Sequence, residues 1–181
     1  FLGGFQSNDT RSPFPLKDGW VSITTSHPKS YFTAVISFED APTTFAEFNK
    51  TNDGTSIPAL VPFTNLFTKG SACVPVSVVG TGLAEAKNGT NATILVQFNG
   101  GDGNLYQCAD VVLSDTATLP SSATCTNSTG IFAESSASST STSPASSTTS
   151  TAKPTSSTSD SMKIVAPALL AGAAGVVGAV I

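Results

Sequence analysis

The chain has 181 residues, 11% of them charged, with one His, three Cys, one Trp and one Met. Ordinary globular chains carry about 25% charged residues. Here eight Lys+Arg against twelve Asp+Glu leave a net charge of −4 and no basic face to neutralise phosphates, which excludes nucleic acid as a partner. One His and three Cys also exclude a structural zinc cluster built from this chain alone.

Residues 1–133 form the segment able to build a core, and their apolar pattern has a period of two. Trp20-Val21-Ser22-Ile23-Thr24 alternates apolar and polar residues, and 32–38, 74–79, 92–98 and 105–113 are rich in strand formers. Turn chemistry separates them at Lys17-Asp18-Gly19, Asn52-Asp53-Gly54, Asn88-Gly89 and Asn99-Gly100-Gly101-Asp102-Gly103, the last read as a hairpin loop. Thr44-Phe45-Ala46-Glu47 has the form of a capping box opening one short helical turn, with Phe45 and Phe48 on one face. Short strands punctuated by turns predict an all-β domain, an antiparallel β-sandwich.

Beyond this domain the composition changes twice. Residues 134–163 are mostly Ser and Thr, with Pro144 and Pro154, and have too little to bury to order themselves. Composition alone leaves a plain linker and an O-glycosylated stalk both open. Residues 164–181 then run for eighteen positions without a charge. That length is at the lower edge for a membrane helix. The run closes the chain, lacks a basic cluster and follows a polar spacer of small residues, the order of a glycosylphosphatidylinositol (GPI) anchor signal. The expected organisation is a β-domain over 1–133, a disordered stalk over 134–160 and an anchor signal over 161–181. Lipid would join somewhere in 156–161 and hold the protein on the outer leaflet of the plasma membrane. Such a signal acts on a chain already in the secretory route, and residue 1 is Phe, so an N-terminal stretch with its signal peptide is expected upstream.

A secreted glycoprotein fits the five N-x-[ST] sequons at Asn8, Asn49, Asn88, Asn91 and Asn127. In an oxidising compartment Cys73, Cys108 and Cys125 should pair, so an odd count means a missing partner or a free thiol. The connectivity is not legible from the sequence.

Catalytic templates fit poorly. A Ser-His-Asp triad must use His27, and no G-x-S-x-G elbow is present. Glu39, Asp40, Glu47 and Asp53 lie near turns, where solvation and loop hydrogen bonds account for them better than the paired carboxylates of a glycosidase. Two polar residues stand out. His27 sits in Thr25-Ser26-His27-Pro28 before an apolar strand, and Asp110 interrupts the strand-forming run from Tyr106 to Leu113. An Asp in such a run is expected to be paired, bonded to backbone, or a metal ligand.

The order and spacing of several pieces resemble one fungal family. They are Gly3-Gly4-Phe5, Arg11-Ser12-Pro13-Phe14-Pro15-Leu16, Ser26-His27-Pro28, Leu60-Val61-Pro62-Phe63, Asn88-Gly89-Thr90-Asn91-Ala92-Thr93, and the run from Phe98 through Asn99-Gly100-Gly101-Asp102-Gly103 to Cys108-Ala109-Asp110. The family is that of the lytic-polysaccharide-monooxygenase-like copper proteins, the copper acquisition factors. The resemblance implies an immunoglobulin-like sandwich holding one copper ion in a histidine brace. The ligands would be a mature N-terminal His, a loop His matched by His27, and an Asp of a Cys-x-Asp strand matched by Asp110. The chain starts at Phe1, so the N-terminal His ligand is absent from it. Leu2 stands where the family tends to have Cys before Gly-Gly-Phe, which would account for the odd thiol.

Amine and imidazole nitrogens suit Cu(II), and a carboxylate filling a coordination position fits binding better than oxygen chemistry. The sequence therefore predicts a non-enzymatic, GPI-anchored copper-binding glycoprotein of the cell surface. Its role would be copper acquisition or cell-wall maintenance, with a cell-wall polysaccharide or a copper transporter as a further partner. The alternatives are a structural wall glycoprotein or adhesion scaffold without metal and, less favoured, a polysaccharide monooxygenase.

Overall fold

In a computed structural model of the chain, residues 10–133 are described. The stalk, the anchor signal and Asn8 lie outside the described residues. Among the described residues seven strands run in the order β1 (Ser12–Pro15), β2 (Gly19–Thr25), β3 (Ser30–Ser37), β4 (Val61–Leu66), β5 (Gly70–Val76), β6 (Asn91–Asn99) and β7 (Asn104–Ser114). They form a five-stranded sheet, β1-β7-β6-β3-β4, and a two-stranded sheet, β2-β5. Every pairing is antiparallel except β1 with β7.

The sandwich follows from alternation. Phe32, Ala34 and Ile36 of β3, Ile94, Val96 and Phe98 of β6, and Val111 and Leu113 of β7 face inward. Val21 and Ile23 of β2 and Ala72 and Val76 of β5 close over them in one core. Each large side chain so buried contributes on the order of 1.5–3 kcal/mol. The outer face of the larger sheet has its own small cluster, Phe48 and Leu95, edged by Val35, Phe45, Tyr106 and Cys108.

That outer cluster is capped by the predicted helical turn, a 3₁₀ turn at Phe45–Phe48. The Glu47 carboxylate collects the N–H groups of Thr43 and Thr44 (2.7 and 2.6 Å) and the Thr44 hydroxyl. The Thr44 backbone bond first, then that of Thr43, holds Glu47 below the usual carboxylate range. Asp53 is likewise lowered, first by the Thr51 hydroxyl and then by the Thr55 N–H, inside its turn. Both carboxylates serve loop geometry, as their turn positions predicted.

Three strands differ from the periodicity. β1 and β4 contain Pro13, Pro15 and Pro62, which read as breakers, but both are sheet edges where a missing N–H is tolerated. β5 begins at Gly70 rather than near Val74, because it follows β2 in register from Thr25–Gly70 to Gly19–Val76. Val79 belongs to a 3₁₀ turn, Val79–Thr81, capped by Gly82 at φ 73°.

Candidate metal site

Residues between β2 and β3 carry the imidazole. The His27 N–H donates to the Thr25 hydroxyl (3.0 Å), a local turn that anchors the loop to the end of β2. Pro28 then biases His27 toward extended backbone. The ring packs against Phe98, centroid to centroid 5.9 Å, and lies over Gly100. A Cβ at Gly100 would stand 2.6 Å from Cγ, Cδ2 and Nδ1 of the ring, so glycine is what lets the imidazole seat there.

The β6–β7 hairpin supplies the second group. Asn99 accepts the Gly101 N–H (2.7 Å) and donates to the Asn104 side chain (2.7 Å), closing the loop across its base. Gly101 and Gly103 adopt φ of 102° and 130°, conformations that L side chains rarely reach. Between them Asp102 projects toward the imidazole, with Oδ2 3.9 Å from His27 Nε2. Its side chain is 67% exposed and that of His27 28%, so the pair is open to solvent.

Asp110 is elsewhere. It pairs in register with Thr93, six residues along β6 from Asn99, roughly 20 Å at about 3.3 Å per residue. Its carboxylate accepts the Thr93 hydroxyl (2.7 Å) and faces the Arg11 guanidinium at 3.6 Å. Arg11 also donates to the carbonyls of Ala92 and Asp40, both at 2.8 Å. The expectation that His27 and Asp110 face a common point is therefore corrected. In antiparallel β6–β7, moving from Asp102 to Asp110 travels from the hairpin to the far end of the strand. Asp110 is a buried acceptor on the outer face, and the carboxylate beside the imidazole is Asp102. That residue lies within the glycine run read as a turn, and turn chemistry alone accounts for its surroundings.

Of the cysteines, Cys73 and Cys125 form a disulfide, with Cα atoms 5.3 Å apart, and Cys108 is free. Burial, and then the negative charge of Asp110, push the Cys108 thiol up to about 12. A raised pKa in an acid means the neutral form persists. At pH 8 Cys108 is expected to alkylate roughly a thousandfold more slowly in the folded protein than after denaturation. Timed iodoacetamide labelling with mass spectrometry checks this, and equal rates would contradict it. Of the sequon asparagines, Asn49, Asn88, Asn91 and Asn127 are all exposed.

Among the described residues no group of three or more His, Cys, Asp and Glu stands ready to hold a metal. His27 and Asp102 nevertheless suit one: donors each about 2 Å from a shared ion stand up to about 4 Å apart, and imidazole nitrogen with carboxylate oxygen is a set that copper accepts. His27 and Asp102 could thus supply two donors to an ion, on a side open to solvent. Fold and site define a class, an all-β sandwich presenting an imidazole and a carboxylate at one end of its strands.

Sequence comparison defines that class further. A family model described as "Copper acquisition factor BIM1-like" matches residues 3–130, and the chain belongs to that family. It is 40% identical over 129 residues to the copper acquisition factor BIM1 of Cryptococcus neoformans serotype A, covering 70% of this chain and 57% of that protein. It is also 40% identical over 131 residues to the serotype D protein of the same name. An uncharacterized protein of Aspergillus fumigatus is 44% identical over 70 residues, or 35% of this chain. The chain thus spans a little over half the length of the two BIM1 proteins.

Proposed function

We propose that the protein binds copper without catalysing a reaction and acts in copper acquisition at the cell surface. The observation that carries this is the His27 imidazole facing the Asp102 carboxylate at 3.9 Å across an open loop end. His27 and Asp102 would hold the ion. Bound there, copper is cargo: the open rim lets a donor deliver it and an acceptor remove it. A carboxylate at the imidazole fills the side that oxygen chemistry would need free, which favours binding over polysaccharide oxidation. The family name, shared with proteins called copper acquisition factors, supports the same reading.

The cell-surface part rests on the apolar tail, the Ser/Thr stalk and the exposed sequon asparagines. A GPI anchor would set the site on the outer leaflet, where a copper transporter is a natural acceptor.

Calorimetric titration of the full chain with Cu(II), followed by electron paramagnetic resonance, tests the proposal. One equivalent should bind, with nitrogen hyperfine structure that disappears in His27→Ala. Uptake that is unchanged in His27→Ala would defeat this reading and leave the scaffold alternative.

A further inference from the structure

Ser30 opens β3 and is only 7% exposed. Among the described residues its Oγ is the buried side-chain polar atom with no hydrogen-bond partner. Buried hydroxyls are nearly always partnered, because an orphaned one forfeits its hydrogen bonds to water and gains nothing in return. This one needs a reason.

The register places it. Phe32 pairs with Phe98 and Tyr31 with Asn99, so the next step along the same antiparallel pair sets Ser30 opposite Gly100. Residues directly opposite share a face, with Cβ positions about 5 Å apart. The Cβ position of Gly100 is the one that abuts Cγ, Cδ2 and Nδ1 of His27. Extending the register by one step thus sets Ser30 and the His27 ring against the same position, Gly100, while Nε2 is the nitrogen 3.9 Å from Asp102.

A neutral imidazole has one N–H. If Nε2 gives its lone pair to a metal, Nδ1 must carry the proton and needs an acceptor. Histidines that bind metals almost always donate that second N–H to a fixed partner. The Thr25 hydroxyl is already engaged by the His27 backbone N–H. We propose that Ser30 is the positioning residue of the loaded site: its Oγ, unpartnered here, turns to accept the Nδ1 proton of His27 and holds Nε2 toward Asp102 and the ion. The inference rests on the copper reading above and adds the group that sets the tautomer and plane of the ring. Its placement also explains why a strand that is otherwise apolar on its inner face begins with a serine.

His27 is the one imidazole in the chain, so its nitrogen signals need no assignment. Nitrogen-15 spectra of the full chain loaded with diamagnetic Cu(I) should show a coordination shift at Nε2 and a slowly exchanging Nδ1 proton. In Ser30→Ala that proton should exchange at least about tenfold faster and copper affinity should fall about 10- to 100-fold. Thermal stability should be equal or higher, since an orphaned hydroxyl has been removed. Ser30→Thr keeps the hydroxyl and should restore both the proton and the affinity. A coordinated Nε2 with an Nδ1 proton and affinity indifferent to Ser30→Ala overturns this inference alone. No shift at Nε2 overturns this inference, and no uptake of Cu(II) by the same protein overturns the copper reading with it.

Discussion

Asp110→Ala should destabilise the domain and leave copper binding intact, whereas Asp102→Asn should do the reverse. Asp110 is buried, with a side chain 3% exposed beside Arg11. Removing it leaves the fully buried Thr93 hydroxyl without its acceptor and takes a close carboxylate from Arg11. Breaking one partner of a buried pair costs about 3–5 kcal/mol. Arg11 keeps the carbonyls of Ala92 and Asp40, which places the expected loss near 2–3 kcal/mol. Urea unfolding followed by Trp20 fluorescence reads it as a lower midpoint at unchanged slope. Asp102 is mostly exposed, so Asp102→Asn should move stability by no more than about 0.5 kcal/mol. It removes the charge facing His27, and Cu(II) affinity should drop at least about tenfold. Copper affinity lost in Asp110→Ala but not in Asp102→Asn would reverse the assignment of the two carboxylates.

The contrast between these residues shows where sequence reasoning reached its limit. The strand over 105–113 was legible from its β-branched and aromatic residues, and an Asp inside it drew attention because such positions are costly for a charge. Arg11 and the Thr93 hydroxyl meet that cost. A strand of known length and a hairpin of known position already place Asp110 about 20 Å from the loop end. Which loop His27 would lean on, however, depends on the sheet order β7-β6-β3, a property of tertiary pairing that no local pattern encodes. Asp102 was invisible for the opposite reason. Its surroundings, Gly101 and Gly103, are explained fully by turn chemistry, so nothing local remained to be accounted for. The capping box at Thr44 and Glu47 was legible because its partners are three residues apart. β1 and β4 were not, because their prolines signal a break unless the strand is known to be an edge.

The second large effect concerns the disulfide, whose pairing the three cysteines left open. Cys73–Cys125 spans a sequence separation of 52, and closing a loop of that length removes unfolded-state entropy worth about 4 kcal/mol at 25 °C. It also acts locally. Cys73 lies on β5, half of the two-stranded sheet, and Cys125 on the irregular segment that covers it. That segment is stitched on by Asn127 accepting the Cys73 N–H (2.6 Å), by Ser128 exchanging bonds with Ser71 (2.8 and 2.9 Å), and by the buried Ile131. These bonds keep much of the cover in place without the crosslink, so Cys125→Ser should cost about 2–4 kcal/mol rather than unfold the domain. For a domain of this size the melting temperature should fall by roughly 10 °C. Cys73→Ser should cost more, because it also buries a hydroxyl where sulfur packed at 1% exposure. Cys108→Ala, removing a free thiol from the outer cluster, should shift melting by far less. A Cys125→Ser protein that melts within a degree or two of the parent would mean that the segment is held by Asn127, Ser128 and Ile131 and that the crosslink adds little. Because β2 pairs with β5 and leads directly into the His27 loop, copper affinity measured well below the melting temperature should hold, and should fall only as that sheet loosens.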